Sequence, residues 1–154
     1  MKTNTIEGGA FLTLDELKRA NIRAGAHWFD ESTLHYFDGQ IHSLYGGRFV
    51  VHSSQFHGSL DSAPRQYHIA YATADGKVES LPGEKTVTLD FASQEGAESF
   101  ARLLEAGRLR IEKFQYDKHR QCRSCLTFAS WILNGDILCH QHFGVELEAW
   151  RERL

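Results

Sequence analysis

Four residues near the end of the chain have the types and the spacing of a metal site. Two residues separate Cys122 from Cys125, two separate Cys139 from His142, and thirteen lie between the pairs. Structural zinc is held in a tetrahedron by four cysteine or histidine side chains, commonly arranged as two such pairs. We therefore expect these four side chains to bind structural Zn²⁺. A catalytic zinc would keep one coordination position open.

Sequence alone leaves other interpretations of this segment open. The three thiols could be buried and inert, since free cysteine is among the most buried residue types. A redox role for the first Cys-x2-Cys pair would call for a βαβ unit around it. His140 or His119 could replace His142 as the fourth ligand. An odd number of cysteines cannot form a closed disulfide framework, so metal binding is the preferred interpretation.

The nine histidines could support catalysis, but their spacing gives that little support. His52-x-Ser54 and His57-x-Ser59 have the His-x-Ser form of two-histidine phosphoesterases, yet the two motifs start five residues apart. That chemistry needs its motifs on separate strands that face one cleft. His68 falls in a predicted strand and is interpreted as structural. No phosphate-binding loop or serine nucleophile elbow occurs, so we expect no catalytic residue and no enzyme.

Positive charge is concentrated in one part of a chain whose net charge is −3. Residues 108–125 carry six basic and two acidic side chains, and Phe114 and Tyr116 lie among them. Cations mixed with aromatic rings are typical of nucleic-acid grooves and also suit an acidic protein surface. The simpler interpretation is a solvated strand edge protected by charge. The candidate partner-binding residues, hereafter the basic island, are Arg108, Arg110, Lys113, Phe114, Tyr116, Lys118 and Arg120.

The hydrophobic pattern predicts the elements that position these groups. Thr13 and Glu16 have capping-box spacing at the start of a helix over residues 13–25, and Ser93 caps a second helix that ends at Gly107. Residues 26–37 are predicted to form a turn or a short helix. Residues 108–116 read as a strand. The fold class is therefore α+β, a mostly antiparallel sheet with flanking helices.

Three glycine-containing turns predict hairpins, because their residues can adopt positive φ. They are Gly46-Gly47, Ala74-Asp75-Gly76 and Asn134-Gly135. The last of them lies between the two ligand pairs, and an apolar stripe at helical spacing follows the second pair: Phe143, Leu147, Trp150 and Leu154.

The Cys-x2-Cys turn at residues 122–125, which forms a knuckle in zinc fingers, is followed by a hairpin and then a helix. This order predicts a C-terminal treble-clef zinc finger. Trp131 and Trp150 are expected in its core, since so small a unit has few other apolar groups. The chain is thus divided into an α+β body, residues 1–116, and a Cys3His finger, residues 117–154.

Residues 122–154 resemble a GATA-type zinc finger. The resemblance is carried by the Cys-x2-Cys pair, a hairpin containing Trp131, and the run over residues 138–144. The chain has a shorter spacer, histidine as the fourth ligand, and no basic tail after the helix. The resemblance therefore implies metal ligation, and not DNA reading, by the same four residues: Cys122, Cys125, Cys139 and His142.

Residues 26–104 resemble an uncharacterised family of small phage and actinobacterial proteins. The matching segments are residues 27–30 (His-Trp-Phe-Asp), 34–41, 45–51, 64–67 and the later alanine-rich helix. This resemblance implies a phage or mobile-element origin and no catalytic residue.

Together these features predict a zinc-stabilised small binding protein, most concretely a phage accessory protein that inhibits a host or defence protein, for example a CRISPR-type one. The alternative is a nucleic-acid-binding zinc-finger protein, and the third class is an enzyme with an unrecognised site. No apolar run approaches the roughly 20 residues of a membrane span, and the N-terminus lacks a secretory signal. We expect a cytoplasmic protein with a protein partner, at most weak nucleic-acid binding, and no small-molecule substrate.

Overall fold

The computed structural model describes residues 3–5, 11–25, 31–34, 37–56, 64–83, 88–114, 121–125, 127 and 129–153. The helices there are α1 (Leu14–Arg23), α2 (Gln94–Glu105) and α3 (His140–Glu152). The strands are β1 (Thr3–Thr5), β2 (Glu31–Leu34), β3 (Phe37–Tyr45), β4 (Phe49–Phe56), β5 (Gln66–Ala72), β6 (Val78–Ser80), β7 (Asp90–Phe91), β8 (Ile111–Phe114), β9 (Trp131–Leu133) and β10 (Asp136–Leu138). Within these residues no helix is long and apolar enough to cross a bilayer.

The strands form two sheets in which every described pair is antiparallel. The smaller sheet has the order β1-β8-β9-β10. The larger sheet has the order β2-β3-β4-β5-β6, and β7 also pairs with β5. The predicted α+β class with mostly antiparallel sheets is therefore confirmed.

The central strands β4 and β5 of the larger sheet are buried over most of their length, and their alternate side chains point to opposite faces. Val51 lies opposite Ile69, and both pack in one cluster with Phe100 of α2. Val50, one residue earlier, belongs to a second cluster with Leu17 of α1. The sheet thus lies between α1 and α2.

Both predicted helix starts and ends are confirmed by their caps. The Thr13 hydroxyl accepts a hydrogen bond from the backbone N–H of Glu16 at 3.1 Å, and Ser93 caps α2 in the same way. Past the helix ends, Gly25 and Gly107 have φ of 72° and 74°. This left-handed conformation favours glycine at a helix C-terminus.

The predicted hairpins form, and two other predictions need correction. Residues 31–34 form strand β2 and not a turn or short helix, because pairing with β3 satisfies their backbone groups. The predicted strand over residues 108–116 starts only at Ile111, so Arg108 and Arg110 precede it.

One hydrophobic core joins the C-terminal residues to the rest of the protein. Ile111 of β8 lies opposite Leu133 of β9 in the smaller sheet. Trp131 and Phe143 belong to the same buried cluster as Val51 and the inner side of α2. The segment that holds the candidate metal ligands is therefore packed against the body over a shared apolar interface.

Gly76, in the turn between β5 and β6, is expected to tolerate no side chain. Its φ is +93°, and an added Cβ would lie 2.6 Å from the Cβ of Ala20 in α1. Gly76→Ala should cost about 1–3 kcal/mol of unfolding free energy through overpacking, beyond the cost of the positive φ. Gly25→Ala is the matched control, since Gly25 also has positive φ but no atom within 4 Å of an added Cβ. Denaturant unfolding of both variants measures the difference, and equal stabilities would contradict the close α1 contact.

Candidate metal centre and the polar clusters around it

The four candidate ligands are held by two backbone structures that face each other. Cys122 and Cys125 lie in the knuckle, residues 122–125, and the backbone N–H of Arg123 donates to the carbonyl of Ile137 in β10 at 2.8 Å. Cys139 is the N-cap residue of α3, and its Sγ accepts from the backbone N–H of His142 at 3.4 Å. The knuckle is therefore fixed to the hairpin, and the second pair is fixed by the start of the helix.

The ligand atoms of these residues form a compact group. All four lie within 4.8 Å of one another. His142 Nδ1 is 3.5 Å from Cys122 Sγ and 3.2 Å from Cys139 Sγ, and the sulfurs of Cys125 and Cys139 are 3.9 Å apart. Zinc bonds of about 2.3 Å to sulfur and about 2.0 Å to nitrogen give tetrahedron edges of about 3.8 Å (S–S) and about 3.5 Å (S–N). The cluster is consistent with a tetrahedral metal site.

The thiols influence one another's ionisation. The pKa of Cys122 is lowered to about 6: burial raises it, but backbone N–H groups, among them that of Ser124, outweigh burial. The pKa of Cys139 is raised by burial and by the sulfurs of Cys122 and Cys125. Thiolates packed this closely repel one another, and a bound cation would remove that repulsion and favour deprotonation.

The rival ligand His140 is directed to a different partner. Its Nδ1 accepts a hydrogen bond from the indole N–H of Trp131 at 3.2 Å, and it is not a member of the four-residue cluster. Burial and the charge of Lys113 lower its pKa. The other rival, His119, lies outside the described residues.

The structure divides the basic island. Arg108 and Arg110 are exposed. Lys113 is only half-exposed because its ammonium lies 3.7 Å from a carboxylate oxygen of Glu79 and 5.3 Å from the centre of the Trp131 ring. Phe114 ends β8, while three residues of the island lie outside the described part of the chain: Tyr116, Lys118 and Arg120.

Sequence reasoning missed a cluster of polar residues on the larger sheet. Ser54 Oγ lies 3.2 Å from His68 Nε2, and His68 Nδ1 lies 2.7 Å from Asp90 Oδ1. These residues line a cavity of about 390 Å³. The His52-x-Ser54 motif was the only signal available, because the pairing of β4 with β5 and of β5 with β7 is what brings the other two side chains to it.

His52, beside this cluster on β4, should make the protein sensitive to acid. Burial, and then the charges of His68 and His42, lower its pKa to about 3. The folded state therefore binds fewer protons than the unfolded state as pH falls below about 6.5, and stability decreases by about 1.4 kcal/mol per pH unit. We expect His52→Phe to remove this part of the slope in denaturant unfolding between pH 6.5 and 5. An unchanged slope would mean that His52 is already charged in the fold.

No protein-family model, no curated protein and no solved structure matches this chain.

Proposed function

We propose that this protein is a small binding protein whose C-terminal segment is held by structural zinc in a treble-clef arrangement and which recognises a protein partner. The main support for zinc is that the four ligand atoms lie within 4.8 Å of one another and that three of their six separations are close to the edges of a zinc tetrahedron. Three thiolates and an imidazole are the soft to borderline ligands that zinc prefers, and hard cations such as Mg²⁺ and Ca²⁺ prefer oxygen.

A structural role for the zinc is supported by the ligand count and by where the ligands lie. Four protein ligands fill a tetrahedron and leave no position for a substrate or an activated water. The ligands tie the knuckle before β9 to the start of α3. The metal would therefore fix the hairpin and the helix that supply Trp131 and Phe143 to the shared core.

We assign the partner surface to the exposed part of the basic island, Arg108 and Arg110. A groove of about 430 Å³ beside the β9–β10 turn is lined by Arg110, Glu112, Ile132, Asn134 and Gly135. Arg110, Glu112 and Ile132 give this groove a positive, a negative and an apolar group. Such a mixture suits a protein segment that carries both polar and apolar side chains. A phosphate backbone would meet the negative charge of Glu112 there. The further proposal that the partner is a host or defence protein is supported by the phage-family resemblance alone.

Capture from a bacterial lysate, with and without nuclease, tests this proposal. Arg108→Ala/Arg110→Ala should lose the captured protein, and the loss should be the same with and without nuclease. Arg19→Ala/Arg23→Ala removes two exposed charges from α1 and is the matched control, which should retain the partner. Capture that depends on intact nucleic acid, or that the first double variant leaves unchanged, would contradict the proposal.

The alternative, nucleic-acid binding, is favoured by the exposure of Arg108 and Arg110. Each phosphate neutralised on duplex DNA contributes about −0.9 to the slope of log affinity against log salt. Two contacts would therefore give a slope of about −1.8 and weak binding at physiological salt. Tight, sequence-selective binding in a salt titration would support this alternative and contradict the protein-partner proposal.

A further inference from the structure

We propose that Ser54, His68 and Asp90 form a nucleophilic site that hydrolyses small carboxylic esters, an activity separate from partner binding. The three side chains make the two hydrogen bonds of a serine–histidine–aspartate triad, from hydroxyl to imidazole and from imidazole to carboxylate. Such a triad is recognised by its geometry and the roles of its members, and not by the order of its members in the chain. Here the order is serine, histidine, aspartate.

The sheet fixes these three side chains independently of one another. Ser54 and His68 project from the same face of adjacent strands, because Ser54 lies opposite Gln66, and His68 is two residues beyond Gln66 on β5. Asp90 lies directly opposite His68 on the other side of β5. The site is therefore placed on three hydrogen-bonded strands and not on a loop, which favours the fixed geometry that catalysis needs.

Hydrogen bonds around the carboxylate set the orientation of the imidazole. Asp90 Oδ1 accepts from the Thr88 hydroxyl at 2.5 Å as well as from His68 Nδ1. An ionised carboxylate can only accept, so the proton of neutral His68 is on Nδ1 and the lone pair of Nε2 faces Ser54. The backbone carbonyl of Asp90 accepts from the guanidinium of Arg151 in α3 at 2.6 Å. Asp90 and Thr88 are thus positioning residues for His68.

The reaction that this arrangement supports is acyl transfer through Ser54. Ser54 Oγ attacks the ester carbonyl carbon while His68 Nε2 takes the hydroxyl proton. The bond from that carbon to the alkoxy oxygen then breaks, and His68 returns the proton to the leaving alcohol. Water next attacks the acyl carbon while His68 Nε2 takes one of its protons. The bond from that carbon to Ser54 Oγ then breaks, the carboxylic acid leaves, and His68 returns the proton to Ser54 Oγ. The sum is ester plus water to acid plus alcohol.

The cavity beside Ser54 defines the substrate class. It holds about 390 Å³ and is lined by Phe56 and Pro64 together with polar residues. This volume is at the low end of the range for ligand pockets, which suits a short acyl chain. Gln66 lies opposite Ser54 in the register and carries the one side-chain amide among the described residues that line the cavity, so we assign stabilisation of the developing oxyanion to it.

A neighbouring serine shows what distinguishes this site. Ser53 Oγ lies 2.7 Å from His42 Nε2, but it also accepts from Arg65 at 2.8 Å, and Ser53 is fully buried. Ser54 is partly exposed to the cavity. Ser53 is therefore a matched control, an adjacent serine with a histidine partner that points to the opposite face of β4.

The test uses the zinc-loaded chain of 154 residues and a fluorophosphonate probe, which reacts covalently with activated serines. Mass spectrometry of the digested protein should find the probe on Ser54. Ser54→Ala should abolish labelling and lower the hydrolysis of p-nitrophenyl acetate at least a hundredfold, as loss of acid–base and nucleophilic catalysis costs about 10²–10⁴-fold. Ser53→Ala should keep both activities, with folding of each variant checked by circular dichroism.

The labelling rates of two Asp90 variants test the role of its carboxylate. Asp90→Asn should lower the labelling rate about a hundredfold, within the general acid–base range, and Asp90→Glu should recover part of it because it keeps the acceptor. Folded native protein that is not labelled, or equal labelling of Ser54→Ala, would overturn the proposal. Failure of the lysate-capture experiment, with labelling of Ser54 intact, would contradict the proposed binding function alone.

Discussion

Replacing Cys139 with alanine is expected to abolish metal binding and to release α3 and the β9–β10 hairpin from the core. Structural zinc contributes about 10–16 kcal/mol of apparent binding free energy in isolated finger peptides. That is as large as the whole stability of a typical domain, about 5–15 kcal/mol. Because the hairpin and α3 share their core with the larger sheet, the loss should spread beyond the metal ligands. Elemental analysis should find one zinc per chain in the native protein and none in the variant.

His140→Ala is the matched control for this experiment. His140 is adjacent to Cys139 but lies outside the ligand cluster and accepts a hydrogen bond from Trp131. The variant should keep one zinc per chain, and His142→Ala should not. Hydrogen exchange then locates the effect, with loss of protection in α3 only where zinc is lost. Metal-free native protein that keeps full protection in α3 would contradict the structural role of the metal.

Replacing Trp131 with alanine is expected to produce the second largest effect. Its side chain is 1% exposed, stacks on Phe143 at 4.0 Å between ring centres, and contacts Tyr71 edge to face. Truncation of a buried tryptophan costs about 3–5 kcal/mol, because the apolar contacts are lost and a cavity remains. Denaturant unfolding measured by circular dichroism should show this decrease.

Trp150→Ala is the comparison variant for this prediction. The sequence predicted both tryptophans in the core, but Trp150 is only half-buried, and the guanidinium of Arg153 lies 4.8 Å from its ring centre. Its truncation should therefore cost less than that of Trp131. Equal costs would show that the two side chains are equally well packed, contrary to the structure.

The structure connects the candidate metal centre with the Ser54 cluster through a single helix. α3 begins at the candidate ligands Cys139 and His142, and Arg151 near its other end donates to the backbone carbonyl of Asp90. Removal of zinc should therefore affect the position of Asp90 as well as the local core. If both proposals hold, chelation of the zinc should lower the rate at which the fluorophosphonate probe labels Ser54, although chelation does not modify Ser54 chemically.

Local chemistry made the caps and turns predictable. Thr13 and Ser93 cap helices because a side-chain oxygen can accept from the N–H three residues later, wherever the helix packs. Asn134 and Gly135 adopt φ of 47° and 90°, which the two-residue hairpin requires and which these residue types tolerate. The pairing of the candidate cysteine and histidine ligands was predictable for the same reason, because a two-residue gap brings the two side chains of a pair together through local backbone geometry.

The surfaces were harder to predict because they depend on distant partners. Lys113 has the sequence signature of a free cation, but the register that places it opposite Trp131 directs it to Glu79, 34 positions earlier in the chain. Residues 31–34 have weak strand signals, and β3 imposes the strand by hydrogen bonding. Local propensity does not predict such interactions, because the free energy of each contact depends on groups that are far away in the sequence.

The sequence by itself therefore determined the α+β class, the helix caps, the hairpin turns and the four candidate metal ligands, all of which depend on short-range spacing. Only the tertiary structure decided that the ligand pairs meet within 4.8 Å, that one core unites body and C-terminal segment, and that Ser54, His68 and Asp90 meet. The last three residues span 36 positions along the chain and come together through the antiparallel pairing of β4, β5 and β7. That pairing is fixed by the burial of both faces of β4 and β5 against α2 and α1, a property of the whole fold that no local pattern contains.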